Sequence, residues 1–234
     1  GSLLTLPILI FLGLPTAVAN GTNRIALIAQ CVFAVAGFKK KGVSNFKLSL
    51  LLSLPAILGA ALGSLIAVDI SDILFKRVLA IIMLLVLGII LWNSRQRQTQ
   101  SPAENHQISD GNPGSLGRKH LITTMIAFFF IGIYGGFIQV GVGFIIIAAL
   151  TMITRLNLVE TNSHKVFIVG VYLVFSLIVF VLNDKVCWDI GLCLAAGMGL
   201  GGWMGSHWAV TGDERWLRTA ITICVVAMVI KLFA

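Results

Sequence analysis

The 234-residue sequence predicts an all-α integral membrane protein: a polytopic helical bundle of two inverted-topology repeats with glycine-broken, re-entrant helices. Composition comes first. Hydrophobic residues make up 58% of the chain and charged ones 11%, with a mean hydropathy of +0.98, well outside the range of soluble domains. Charge-free stretches at 48–68, 121–154, 166–183 and 190–210 meet or approach the roughly 20 apolar residues that a helix needs to cross the hydrocarbon. Barrel strands run to about 10 residues and alternate polar with apolar, which these stretches do not. The third observation is internal repetition. Gly59-Ala-Ala-Leu-Gly-Ser-Leu-Ile-Ala-Val returns as Gly201-Gly-Trp-Met-Gly-Ser-His-Trp-Ala-Val, and the same 142-residue offset pairs Gly1 with Gly143, Leu14 with Leu156 and Asn20 with Asn162. Residues 1–93 therefore form a first transmembrane repeat and 121–234 a second, with 94–120 as a linker loop.

In the first repeat, Gly13-Leu-Pro-Thr leads into the polar element Asn20-Gly-Thr22-Asn23-Arg24, followed by an apolar stretch and a basic loop carrying Lys39, Lys40, Lys41 and Lys47. Helices over 48–68 and 73–93 follow, joined by Asp69-Ile-Ser-Asp72. Arg95, Arg97, Arg118 and Lys119 bracket the Ser/Pro/Gln/Asn-rich loop 94–120. Both basic loops belong in the cytoplasm, which puts Asp69 to Asp72 outside. The segment equivalent to the lysine loop in the second repeat, Asn183-Asp184-Lys185, lacks that positive bias, as an inverted copy would.

The run 121–154 would be about 50 Å long as one helix, against a bilayer core of about 30 Å. It must break, and Gly132, Gly135, Gly136, Gly141 and Gly143 mark where, giving either two short crossings or a re-entrant hairpin. With helices near 160–183, 189–210 and 214–233, the second repeat has five or three crossings, both odd as inversion requires; a single kinked span gives four and parallel copies. Segment 119–142 has no counterpart in the first repeat, which predicts a further helix ahead of Gly1.

The net charge of +8 lies between apolar runs rather than along one face, so nucleic acid is not expected as a partner. Cys31, Cys187, Cys193 and Cys224 have no metal or disulfide spacing, and no Ser/His/Asp set or paired intramembrane carboxylate suggests an enzyme. Neither a cofactor nor a metal is expected. Gly59-x3-Gly63-Ser64 and Gly201-x3-Gly205-Ser206 read as surfaces for close helix approach, which serve internal packing and a homo-oligomer equally well.

Chemistry is expected at two related polar elements, Asn20 to Arg24 and Asn162-Ser163-His164-Lys165. Each sits where a helix restarts. Free N–H groups and the partial positive charge of a helix start, beside an Arg or Lys, suit an oxyanion. Ordinary interfacial caps with Arg24 and Lys165 reaching for headgroups would use the same residues. For proton coupling, His164 is the first candidate, with His207 inside an apolar run and Glu160 one turn from His164 behind it.

Gly1-Ser2-Leu-Leu-Thr-Leu-Pro7, Gly13-Leu-Pro15, Ala19-Asn-Gly21-Thr22-Asn23, the lysine loop and Gly59 to Ser64 together resemble the sulfite exporter TauE/SafE family of bacterial membrane permeases. The resemblance implies proton-driven transport of sulfite, sulfoacetate or other organosulfonates across the bacterial cytoplasmic membrane, with a small anion, protons and lipid as partners. It also implies site positions at Gly1, Gly141 and Gly143 and at the two polar elements. Copy two departs from the pattern in Gly-Val-Gly at 141–143, in Ala149 opposite Pro7 and in His164 opposite Thr22, which bears on the substrate more than the fold. A passive anion channel or a permease for small carboxylates is the alternative.

Overall fold

A computed structural model of the chain describes residues 2–40, 47–97, 118–154 and 158–208. Within them there are eight helices and no strand: α1 (Ser2–Phe11), α2 (Thr16–Lys40), α3 (Lys47–Asp69), α4 (Asp72–Arg97), α5 (Arg118–Phe137), α6 (Val142–Thr154), α7 (Leu158–Leu182) and α8 (Trp188–Trp208). Helices α2, α3 and α7 are long and apolar enough to cross a membrane, whereas α1 and α6 are short apolar helices. At 1.5 Å per residue, α1 extends about 15 Å and α6 about 20 Å, less than the hydrocarbon thickness. Most of the linker 94–120, and the helix expected at 214–233, lie outside the described residues.

The 142-residue offset reappears in the helices themselves: α2 begins at Thr16 and ends at Lys40, and α7 begins at Leu158 and ends at Leu182. Packing follows the same exchange. Helix α2 packs on α8 as α7 packs on α3, and α2 and α7 pack on each other. The long run 121–154 is broken, as its length requires, but at residues 138–141. Gly132, Gly135 and Gly136 lie inside α5 instead, and packing is the reason. An added Cβ on Gly132 or Gly136 would meet the backbone of Ala56 or Ala60, and one on Gly59 or Gly63 would meet the carbonyl of Phe129 or Ile133. Helices α3 and α5 thus touch backbone to backbone through small residues. In the second repeat the corresponding role falls to Gly191, Gly199 and Gly202, which face Ile25, Phe33 and Gln30 of α2, while Gly201 has open space.

Polarity is distributed as lipid demands. The outer face of α3 carries Leu50, Leu54, Leu58 and Leu62, all exposed at four-residue spacing, a stripe that water would penalise and hydrocarbon would not. Its buried face carries Ser49, Ser53 and Ser64, each hydrogen-bonded. Two helix ends are closed locally. The end of α1 turns through Gly13 at φ 93°, with Gly13 N–H donating to Ile10 and Leu14 N–H to Leu9; α7 ends the same way on Asp184 at φ 56°, with Lys185 N–H donating to Phe180. Both pairs are Schellman caps. At the start of α2, the backbone N–H and hydroxyl of Thr16 donate to Asp72, which ties the first turn of α2 to α4. That hydrogen bond holds the exposed Asp72 carboxyl below the ordinary aspartate range.

Candidate functional site

A cavity of about 350 Å³ lies where α2, α6, α7 and α8 meet, beside the first residue of α1. Helix α6 begins at it. Gly141, Val142 and Gly143, which open α6, line the cavity together with Ser2 of α1. The N–H groups of a first helical turn have no carbonyl behind them, so this start offers donors and partial positive charge. Ser2 Oγ donates to the main-chain oxygen of Gln139 at 3.1 Å, which ties α1 to the turn ahead of α6.

Lys165 brings the full charge. It lines the cavity with Asn162, its ammonium donates to Asn162 Oδ1 at 2.7 Å, and a Cβ added at Gly143 would rest 3.5 Å from its Cδ. The lysine side chain therefore runs across the start of α6. Gln139 completes the polar wall. It is buried, sits in the left-handed region at φ 65°, and its Oε1 accepts from the Tyr172 hydroxyl at 2.8 Å. With the carbonyl end engaged, the amide N–H₂ is the end left to donate into the cavity. A left-handed non-glycine residue is costly and persists where its surroundings over-determine it, which fits a functional turn. Sequence reasoning missed Ser2, Gln139 and Tyr172. A lone amide within the otherwise apolar run 121–154 was the available signal for Gln139.

The first polar element is elsewhere. Asn20, Thr22, Asn23 and Arg24 are fully buried, and none of them lines the cavity. Arg24 donates to the carbonyls of Gly135, at 3.4 Å, and Gly136, and to Asn20 Oδ1 at 3.4 Å; its guanidinium lies 4.5 Å from the centre of the Phe180 ring. Asn20 Nδ2 donates to Phe137 O at 2.7 Å. These are the last carbonyls of α5, which a helix end leaves without intrahelical partners. Thr22 Oγ1 accepts from the Cys187 N–H at 2.9 Å, and Asn23 Oδ1 accepts from Thr5 Oγ1 at 2.6 Å. Asn20 to Arg24 therefore cap and brace neighbouring elements. Only the second element meets the cavity, through Asn162 and Lys165.

The expected helix restarts also shift. Asn20 and Asn162 lie in the second turns of α2 and α7, which begin at Thr16 and Leu158, so neither residue caps its helix. The helix start that meets the cavity belongs to α6. Ser163 is buried within α7. His164 is buried too, and its Nδ1 pairs with Ser49 Oγ of α3 at 2.6 Å. Glu160 is partly buried in the first turn of α7. His207 falls within α8, with its side chain outside the described residues, and Gly1 lies outside them altogether.

The family profile described as "Sulfite exporter TauE/SafE" matches residues 1–232. A "Probable membrane transporter protein" of Haemophilus influenzae is 25% identical over 232 residues, covering 99% of this chain and 86% of that protein. A protein of the same name from Xylella fastidiosa is 27% identical over 234 residues, covering 98% of this chain and 85% of its own length. "Probable membrane transporter protein YfcA" of Escherichia coli is 24% identical over 235 residues, covering 99% and 81%. No solved structure matches the chain significantly.

Proposed function

We propose a specific transport reaction for this chain, which belongs to the sulfite exporter TauE/SafE family of membrane transporters. The chain is a secondary transporter that moves sulfur-containing oxyanions across the bacterial cytoplasmic membrane together with protons. The observation that carries this reading is the meeting of the α6 helix start with the Lys165 ammonium at one cavity. Half-helices whose positive ends point at an anion between two related repeats are a recurring transporter device. In this reading the repeats are inverted, and α1 and α6 occupy equivalent places in the two copies. The exchange of packing partners, α2 with α8 and α7 with α3, supports that pairing.

Lys165 supplies the counter-charge, and the first-turn N–H groups of α6 take the remaining oxygens. His164 is the proton carrier: it follows Asn162 on α7 and its ring is fixed by Ser49, so a change in its charge is felt one residue from the anion's lysine. Arg24 and Asn20 serve the same site indirectly, by holding the end of α5 from which the Gln139 turn departs.

Reconstitution into proteoliposomes tests this. Uptake of a labelled sulfonate should follow an imposed pH gradient in wild type, fall at least about tenfold in Lys165→Gln through loss of a charge-assisted contact, and lose its pH coupling in His164→Gln. Uptake indifferent to the gradient would identify a passive anion channel. Uptake unchanged in Lys165→Gln would refute the site.

A further inference from the structure

The cavity has two kinds of lining. Lys165, Asn162, Gln139 and Ser2 gather at the start of α6, and Gln30 adds a further amide. The rest of its wall is largely apolar, including Leu27, Phe38, Val142, Phe144, Ile147 and Val166. Among the described lining residues Lys165 is the single charged side chain. A small inorganic oxyanion would fill only the polar part of about 350 Å³ and leave the apolar wall in contact with water. A dianion would bring a second charge to a site that holds one cation, and an unpaired buried charge is heavily penalised.

From this geometry, and resting on the oxyanion reading above, we propose that the site selects a monovalent organic anion with a short apolar tail, and that Gln139 sets the head-group geometry. Lys165 takes the charge and the tail lies along Leu27, Val142, Ile147 and Val166. The Gln139 amide donates to a head-group oxygen. Its side chain is buried, and the Tyr172 hydroxyl on Oε1 decides which end of the amide faces the ligand. Tyr172 is a positioning residue. Both sulfonate and carboxylate heads satisfy the same donors, and the experiment separates them.

The full chain is purified and titrated by calorimetry with methane-, ethane-, propane- and butane-1-sulfonate, with carboxylates of matched tail length, and with sulfate, sulfite and sulfoacetate. The expected result is a rise in affinity of about fourfold per methylene, the ordinary gain for burying one CH₂. Sulfate and sulfoacetate should bind at least about tenfold more weakly than butane-1-sulfonate. Tyr172→Phe, which keeps the ring and frees the amide, should weaken every member by about five- to tenfold while leaving the chain-length slope intact. Whichever head gives the slope is the head the site takes. A flat series, or sulfoacetate binding as tightly as butane-1-sulfonate, overturns the inference and leaves the oxyanion site standing. An unchanged affinity series in Tyr172→Phe overturns the role of Gln139. Absence of binding by every anion, in protein that still melts cooperatively, overturns the oxyanion reading as well.

Discussion

Replacing Arg24 by leucine separates two roles that the sequence left together, anion binding and helix capping. In the structure the guanidinium serves the end of α5. Its removal orphans the Gly135 carbonyl and leaves Gly136 O with only the Ser64 hydroxyl, at 3.3 Å. A buried carbonyl without a partner costs about 1–3 kcal/mol, and loss of the charge-assisted bond at Gly136 adds about 1 kcal/mol. The contact with the Phe180 ring, worth about 1–2 kcal/mol when desolvated, is lost too. Against this, leucine relieves the burial of a charge that has no carboxylate beside it, which offsets part of the total. A net destabilisation of about 3 kcal/mol follows, or a melting point lower by about 6–12 °C for a chain of this size. The assay is thermal unfolding of the detergent-purified protein followed by tryptophan fluorescence, paired with anion titration. The expected outcome is a lower melting point with anion affinity unchanged at temperatures where the variant is folded. A wild-type melting point combined with lost affinity would refute the reasoning and return Arg24 to the anion site.

The contact between α3 and α5 leaves no room for a methyl group, so Gly136→Ala should cost about 1–3 kcal/mol by forcing the helices apart at Ala60. Gly88→Ala and Gly197→Ala, at helical positions with open space around them, should instead stabilise by about 0.5–1 kcal/mol; parallel melts of the three variants check both signs. The Thr16 hydrogen bonds lower the Asp72 pKa in the folded state, so their contribution is full above the unfolded value of about 4 and is lost as pH falls through the lowered folded value. Thr16→Val should therefore melt below wild type at neutral pH, and the gap should close on acidification; a gap that widens would mean the clamp does not depend on an ionised Asp72. Ser49→Ala removes the hydroxyl that fixes His164, and should shift the pH dependence of proteoliposome uptake more than its affinity for anion.

The two polar elements show what a linear pattern leaves open. The elements Asn20 to Arg24 and Asn162 to Lys165 are similar in composition, and the 142-residue offset pairs Asn20 with Asn162 but Arg24 with Val166 and Asn23 with Lys165. A linear pattern reports which residues are polar within an apolar run and does not report which neighbour consumes them. Only the second element faces a cavity. The first is engaged by the carbonyls of Gly135, Gly136 and Phe137, with Arg24 Nε left over. The five glycines between 132 and 143 divide in the same way. Those at 132, 135 and 136 answer to close contacts with Ala56, Tyr172 and Ala60, and only the break after Phe137 answers to chain length.

Composition and hydrophobic run length were enough to specify a helical membrane protein, because lipid leaves few ways to satisfy a buried backbone. The repeat specified that α2 and α7 would match, since equivalent residues with equivalent periodicity form equivalent helices. The sequence also singled out Lys165, Asn162, Gly141 and Gly143, which line one cavity, because polar and glycine positions in an apolar chain are few. Tertiary structure alone decided that the helix start meeting there is that of α6, that Gln139, held by Tyr172, completes the wall, and that Arg24 bonds the last carbonyls of α5. Each of those outcomes depends on which donor lies nearest to which unpaired acceptor, a distance set by helices far apart in the chain.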